Sequence, residues 1–221
     1  MPSFRALLNR WRRRLVRLLL HRQVFGEANA VGDDRPHTRI SPSTCIEHEE
    51  RLVLGDHVYI GPFNVLEASA GIVLEDGVQI TSHCSVVTHS SHRAMRLMGR
   101  TYVQAEGAGL KARPGWISGP VHIGAFSFIG PHSLIEAGTR LGRGTLVCAG
   151  SVVRGAFPDF AVLRGNPAQV VGDTRQTDEA LLQAFPAYRE HYEAWAGAGF
   201  HSGDGPGPAN AEGAPLREAR R

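Results

Sequence analysis

The sequence has few cysteines, no long uncharged apolar run and no acidic residue among its first 22 positions. The three cysteines are far apart, so neither a disulfide framework nor a zinc site is indicated: Cys45, Cys84 and Cys148. Thiols without partners are typical of a reducing compartment, and we therefore expect a cytoplasmic protein.

Residues 4–22 are predicted to form a basic amphipathic helix within an N-terminal segment, 1–37, that ends in a turn-rich linker. Seven arginines fall in residues 1–22, and because the whole chain carries a net charge of only +3, the remainder is mildly acidic. The apolar side chains of the helix share one stripe: Phe4, Leu7, Leu8, Trp11, Leu15, Leu18 and Leu19.

This helix does not have the composition of a membrane span or a secretion signal. A span needs roughly 20 nearly uncharged residues, and Arg17 interrupts the apolar run that a signal requires. Two interpretations remain: the helix lies on an anionic membrane surface, at the inner face of the membrane, or it packs on the end of the folded domain as a cap. Nucleic-acid binding is not expected, because these arginines have no partner motif elsewhere.

Branched aliphatic residues recur at a spacing of six through residues 121–153: Ile123, Ile129, Ile135, Leu141, Val147 and Val153. A small or β-branched residue stands two positions before each of them. A helix would repeat its apolar residues every three or four positions and a half-buried strand every two. A spacing of six predicts a parallel β-helix, whose coils must stack to bury their apolar side chains.

The same pattern extends back to residue 38, with three irregularities. The spacing widens to eight between Ile46 and Leu54 and between Leu66 and Leu74, which predicts two extra residues at a corner. Residues 88–120 then lack the pattern altogether, and an insertion of this length in a compact domain is usually functional. The repeat ends at Val153.

We predict helices after the β-helix domain, which spans 38–172. Thr177 is the expected cap of a first helix in the segment 173–196, and Pro186 is expected at the start of a second. Such helices can cover the open last coil. Residues 197–221, rich in Gly, Pro and Ala, are predicted to be disordered.

The chain resembles the hexapeptide-repeat acyltransferases in three features: the aliphatic spacing of six, the Thr88-His89 pair that opens the insertion, and the closing RGNPA segment at 164–168. The galactoside and maltose O-acetyltransferases and their relatives in surface-polysaccharide synthesis are the most similar branch. The resemblance implies an all-β, left-handed parallel β-helix with helices at both ends. It also implies a homotrimer with acetyl-CoA as donor, bound in the groove between two subunits, a sugar or glycan acceptor and no required metal.

Acetyl transfer to a hydroxyl needs a base, and a histidine is the usual choice. The resemblance places that histidine at the start of the long loop, which favours His89, with His92 as the alternative by analogy with antibiotic acetyltransferases. For the cofactor, it implies the small-residue edge Ala149 and Gly150. The anionic end of CoA would favour cations near the last coils, and Arg154 and Arg164 are our candidates.

Several departures and several rivals qualify the resemblance, and Phe128 and Gln169 are two of the departures. Pro131 stands where a backbone N–H often faces the thioester carbonyl, and proline has none. N-acetylation of a sugar or antibiotic is an alternative reaction. A zinc protein like the γ-class carbonic anhydrases, which share the fold, is a rival of another class, although His83, His89, His92 and His122 lack convincing ligand spacing. A non-catalytic β-helix scaffold is the last rival.

Overall fold

The computed structural model describes residues 3–20, 22–30, 32–104 and 113–197. The strands are β1 (Glu27–Ala28), β2 (Asp34–Arg35), β3 (Arg39–Ile40), β4 (Cys45–Glu47), β5 (Leu52–Leu54), β6 (Tyr59–Ile60), β7 (Val65–Glu67), β8 (Ile72–Leu74), β9 (Gln79–Ile80), β10 (Ser85–Val87), β11 (His89–Ser90), β12 (Ile117–Ser118), β13 (Val121–Ile123), β14 (Phe128–Ile129), β15 (Leu134–Ile135), β16 (Arg140–Leu141), β17 (Leu146–Val147), β18 (Val152–Val153), β19 (Ala156–Phe157), β20 (Ala161–Gly165) and β21 (Ala168–Asp173). The α-helices are α1 (Phe4–Leu20), α2 (His92–Met98), α3 (Thr101–Gln104), α4 (Thr174–Ala184) and α5 (Arg189–Ala196), with short 3-10 helices at Glu49–Arg51 and Pro186–Tyr188.

The strands form the three faces of a prism. Face 1 contains β3, β6, β9, β14, β17 and β20 in parallel, face 2 contains β4, β7, β10, β15 and β18, and face 3 contains β5, β8, β13, β16 and β19. The chain passes from face 1 to face 2 at the first corner, to face 3 at the second and back to face 1 at the third. The predicted fold class, a left-handed parallel β-helix with helices at both ends, is confirmed.

The spacing of six reflects one inward side chain per strand. All six aliphatics between Ile123 and Val153 are fully buried. The small residues two positions earlier lie buried at the corners, where several donate hydroxyl hydrogen bonds to the backbone: Ser127 Oγ lies 3.0 Å from Gly142 O and Thr139 Oγ1 lies 3.2 Å from Val153 O. The same carbonyls have second donors, since Thr145 Oγ1 donates to Gly142 O at 2.7 Å and the Glu136 N–H donates to Val153 O at 2.9 Å, so the corner carbonyls are well satisfied.

The irregularities of the repeat all lie at the second corner. The two extra residues after β4 form part of the Glu49–Arg51 turn, and those after β7 precede β8. The insertion 88–120 leaves the prism between β10 and β13, at that same corner. The insertion contains two short helices, α2 and α3, which the sequence did not indicate. Ala94 of α2 is fully buried.

The structure adds three details near the ends of the domain, and the second of them corrects a prediction. The prism continues past Val153, because β19 pairs with β16 and β20 with β17, although the spacing of six has ended. The helix α4 begins before Thr177, since the Asp173 carboxylate accepts a hydrogen bond from the Arg175 N–H and caps it there. The linker contains a short antiparallel pair, β1 with β2.

The C-terminal helices contact the last coil at its third corner. Trp195 of α5 packs beside the third corner, with ring centroids 4.5 Å from Phe126 and 5.9 Å from Phe160. Gly144 makes room there, since a Cβ on it would lie 2.6 Å from the Phe160 ring. The edge of β20 is covered instead by β21, which pairs with it antiparallel. The predicted disordered tail lies, beyond Gly197, outside the described residues.

The helix α1 does not cap the first coil. None of its residues is buried. Gln23 and Arg35 contact this end of the prism instead: Gln23 Nε2 donates to Ile60 O at 3.2 Å, and Arg35 Nε donates to Leu54 O at 2.7 Å. Within the described part of the chain, no helix is both long and apolar enough to cross a membrane.

Candidate active site

The base of the insertion is fixed to the second corner by backbone hydrogen bonds. Strands β11 and β12 form a two-residue antiparallel ladder that pairs His89 with Ser118. The Gly119 N–H donates to Thr88 O at 3.0 Å. The position of His89 is therefore set by the prism itself rather than by the outer part of the loop.

A buried carboxylate holds His89. Nδ1 of His89 lies 2.7 Å from Oε2 of Glu67, which ends β7 one coil earlier and is only 6% exposed. The same Oε2 accepts the Thr88 N–H at 3.0 Å and the Thr88 hydroxyl at 2.8 Å. Oε1 accepts the Ser69 N–H at 2.9 Å. The carboxylate is thus surrounded by donors from two consecutive coils.

These donors keep Glu67 ionised. Burial by itself would raise the pKa of Glu67, but the hydrogen bonds from Ser69 and Thr88 outweigh it and lower the pKa from 4.5 to about 2. An ionised carboxylate can only accept hydrogen bonds. We therefore assign the proton of neutral His89 to Nδ1, which leaves the lone pair on Nε2.

His89 has the arrangement expected of a general base. Its side chain is 29% exposed, and no described residue is hydrogen-bonded to Nε2. The Trp116 ring stacks on the imidazole with a centroid separation of 4.6 Å and fixes its plane. A histidine oriented by an ionised carboxylate, with Nε2 available, can take a proton from a hydroxyl and carry the resulting positive charge.

Among the described residues, His92 has no partner comparable to Glu67. It is exposed at the first position of α2, and its Nδ1 lies 2.7 Å from the Ser90 hydroxyl. A neutral hydroxyl neither fixes the tautomer nor stabilises an imidazolium as a carboxylate does. The geometry therefore favours His89 of the two candidates.

The candidate cofactor residues are not all on the same edge as His89. Arg154 follows β18 at the second corner, two coils beyond His89, which is roughly 10 Å along the axis at the usual strand spacing. Ala149 and Gly150 lie exposed at the first corner, and Arg164 lies exposed on face 1. Within one chain the base and the small-residue edge are thus on different corners of the prism.

The four histidines considered for zinc are spread over different parts of the prism. His83 stacks on His132 at the first corner, and His122 Nε2 lies 2.9 Å from Glu75 Oε1 on face 3. Among the described residues, the cluster whose ligand atoms all lie within 4.8 Å consists of His37, Asp56 and His57, at the third corner of the early coils. The metal set considered from the sequence is therefore not assembled within one chain.

Sequence reasoning missed the residues that hold His89. Glu67 is 22 positions upstream of His89, and Trp116 comes from the far end of the insertion. A signal for Glu67 was present, because β7 pairs with β10 in a register that places Glu67 beside Val87. One coil runs from Leu54 to Leu74 in the repeat, and the same offset of 20 positions from Glu67 gives Val87, the residue before Thr88. Nothing in the local sequence singled out Trp116.

Glu67 predicts a pH dependence of stability. Folding lowers the pKa of Glu67 from 4.5 to about 2. The ionised carboxylate therefore contributes stability that is fully present above pH 4.5 and is lost as the pH falls through about 2. The difference in unfolding free energy between the wild type and Glu67→Gln should therefore shrink over this interval, by up to about 1.4 kcal/mol per pH unit for one proton. Urea unfolding of both proteins from neutral to acid pH measures it, and a constant difference would contradict the assignment.

No family model matches the chain. The probable acetyltransferase Rv3034c of Mycobacterium tuberculosis is 32% identical over 138 residues, which is 62% of this chain and 42% of that protein. The match thus covers less than half the length of this relative.

Solved structures share the fold. The hexapeptide-repeat acetyltransferase VCA0836 of Vibrio cholerae superposes with a TM-score of 0.52 at 22% identity over 75% of this chain and 80% of that one. The N-acyltransferase AntD of Bacillus cereus, bound to dTDP and 3-hydroxybutyryl-CoA, superposes with a TM-score of 0.51 at 22% identity. The match covers 70% of this chain and 89% of that one. The chain therefore has the prism fold of hexapeptide-repeat acyltransferases, and the resemblance seen in the sequence is confirmed.

Proposed function

We propose that this protein transfers an acetyl group from acetyl-CoA to a sugar hydroxyl, in a surface polysaccharide or a related glycan, with His89 as general base. The observation that carries the proposal is the 2.7 Å contact between His89 Nδ1 and the ionised, buried Glu67 at the base of the loop. The sequence similarity to an acetyltransferase and the VCA0836 structure complexed with acetyl-CoA support the choice of donor.

The chemistry follows from the tautomer of His89. Acetyl-CoA supplies the acetyl group as a thioester, which is already activated toward attack. Nε2 of His89 takes the proton of the acceptor hydroxyl as that oxygen attacks the thioester carbon, and Glu67 stabilises the imidazolium. His89 then returns the proton to the departing sulfur, which leaves as the CoA thiol, so the base is regenerated. The imidazole supplies the proton transfer, and the proposal needs no metal.

The first corner and the last coils suit the donor. The Gly150 N–H is used within the corner, because it donates to Pro131 O at 2.9 Å. The Ala149 N–H has no partner in the part of the chain that the structure describes, so it can donate to an amide carbonyl of CoA. The guanidinium groups of Arg154 and Arg164 are exposed and likewise unpaired among the described residues, and they can bind phosphate.

We place the donor between the subunits of a homotrimer. Ala149 and Gly150 lie on the first corner and His89 on the second, so a single chain does not bring them together. A neighbouring copy that presents its first corner to the second corner of this chain would complete the site. Each active site would then use residues from two subunits.

The test is a transfer screen with the purified full chain. Acetyl-CoA is offered with nucleotide sugars, free glycans and lipid-linked saccharides, while CoA thiol release and the acceptor mass are followed. We expect thiol release that depends on one acceptor class, and a product whose acetyl group is removed by mild base, as an ester is. A base-stable product would indicate N-acetylation. Absence of acetyl-CoA binding by calorimetry would overturn the proposal in favour of a scaffold or a zinc protein.

A further inference from the structure

The helix α1 has an apolar face that nothing in the described chain covers. Each of its 17 residues is exposed except Ala6, which is half-buried. Phe4 is 79% exposed and Trp11 is 69% exposed. Large apolar side chains on one helix face rarely stay in contact with water unless that face binds something.

The large apolar side chains of α1, except Val16 and Leu20, lie on one side of the helix. At 100° per residue they occupy an arc of about 120°, which is centred on Phe4: Phe4, Leu7, Leu8, Trp11, Leu15, Leu18 and Leu19. Val16 projects outside this arc, from the polar side. The arc continues along the whole helix, which is about 25 Å long at 1.5 Å per residue.

Arginines border the apolar arc on both sides. In the same projection Arg5 and Arg12 flank one edge, and Arg10 and Arg14 flank the other. Arg13 and Arg17 point away from the arc, and the helix contains no acidic residue. Long basic side chains at the edges of an apolar face can extend to phosphate groups while the face itself is buried in acyl chains.

We propose that α1 lies in the plane of an anionic membrane surface, with the arc from Phe4 to Leu19 buried and its flanking arginines on lipid phosphates. The charge pattern favours an anionic membrane over a second copy of α1 as the surface that covers this face. Two α1 helices packed face to face would bring four arginine-lined edges together without a counter-charge. An anionic bilayer offers both an apolar interior and the counter-charge, and α1 is too short and too charged to cross it.

The proposal goes beyond the proposed acetyl transfer and does not depend on it. A peripheral anchor of this kind would hold the prism beside the membrane. Its presence is measured by vesicle binding rather than by turnover, so the failure of one proposal leaves the other standing.

The test is flotation of the full chain with vesicles of phosphatidylcholine, alone or mixed with phosphatidylglycerol. We expect binding to the mixed vesicles that weakens as salt is added, and little binding to phosphatidylcholine alone. Leu15→Gln should weaken binding roughly tenfold or more through loss of one buried leucine. Val16→Gln is the matched control, because this neighbour is similarly exposed on the polar side, and its binding should stay within about twofold of the wild type.

Both variants should fold normally, since α1 has no buried residue, and circular dichroism checks this. The proposal is overturned if the full chain does not float with anionic vesicles, or if the two variants bind equally. Oligomeric mass without lipid is measured alongside, by light scattering. A mass that falls for Leu15→Gln but not for Val16→Gln, without vesicle binding, would assign the face to a second copy of the chain instead.

Discussion

Replacing His89 with alanine is expected to lower kcat/KM for acetyl transfer by about 10²- to 10⁴-fold, the usual contribution of a general base. The loss should fall on kcat, because the imidazole acts on the acceptor proton and holds no part of the donor. The prism should stay folded, since the side chain is partly exposed and Glu67 keeps its backbone and hydroxyl donors from Ser69 and Thr88. Steady-state kinetics with the acceptor found in the screen, together with thermal unfolding, measure both effects.

His92→Ala is the matched control for this experiment. His92 belongs to the same loop, but it is exposed, and its hydrogen-bond partner within the described part of the loop is the neutral Ser90 hydroxyl. We expect kcat/KM within a few fold of the wild type. If His92→Ala were the inactive variant and His89→Ala turned over normally, the roles of the two histidines would have to be exchanged. Normal turnover in both variants would remove a histidine base from the reaction.

Replacing Glu67 with glutamine is expected to damage both catalysis and stability. Whichever way the amide is turned, its NH2 group faces a donor: the Ser69 N–H at one oxygen position, or Thr88 and His89 at the other. The imidazole also loses the carboxylate that fixes its tautomer and stabilises its charged form. We expect kcat to fall by about 10²- to 10³-fold, with KM for acetyl-CoA little changed. The unfolding free energy should fall by roughly 2–4 kcal/mol.

Glu75→Gln supplies the comparison. Glu75 also pairs with a histidine, since its Oε1 lies 2.9 Å from His122 Nε2, but its side chain is 43% exposed. A half-exposed pair of this kind is screened by solvent and contributes about 1 kcal/mol or less, and its place on face 3 is away from His89. Activity is assayed at a temperature where circular dichroism shows each variant folded. A Glu67→Gln protein that is destabilised but retains full kcat would make Glu67 a structural residue only.

The sequence alone predicted the architecture, because the repeat is encoded locally. Each strand contributes one inward aliphatic, and the strict spacing from Ile123 to Val153 leaves no helix or hairpin that could bury all of them. The wider spacings predicted extra residues at a corner, and the structure shows that this is the corner that carries the insertion. Beyond Val153 the spacing of six no longer marks the strands: β19 and β20 lie inside the predicted domain 38–172, but their pairing with β16 and β17 is seen only in the structure.

Only part of the candidate site could be predicted from the sequence. The Thr88-His89 pair marked the base by its position at the start of the insertion, yet nothing local distinguished its chemistry from that of His92. The difference depends on Glu67, which belongs to the preceding coil, and on Trp116, which returns from the other end of the insertion. Both contacts join residues that are more than twenty positions apart in the chain.

The sequence by itself therefore determined the prism, its corners, the histidine-bearing insertion and the basic amphipathic helix, since each of these follows from spacing along the chain. Only the tertiary structure decided which histidine has an ionised partner, which prism edge carries Ala149 and Gly150, and that α1 leaves its apolar face uncovered. The physical reason is that stacking brings residues one coil apart to within hydrogen-bond distance. The tautomer of His89 and the pKa of Glu67 depend on these contacts between coils.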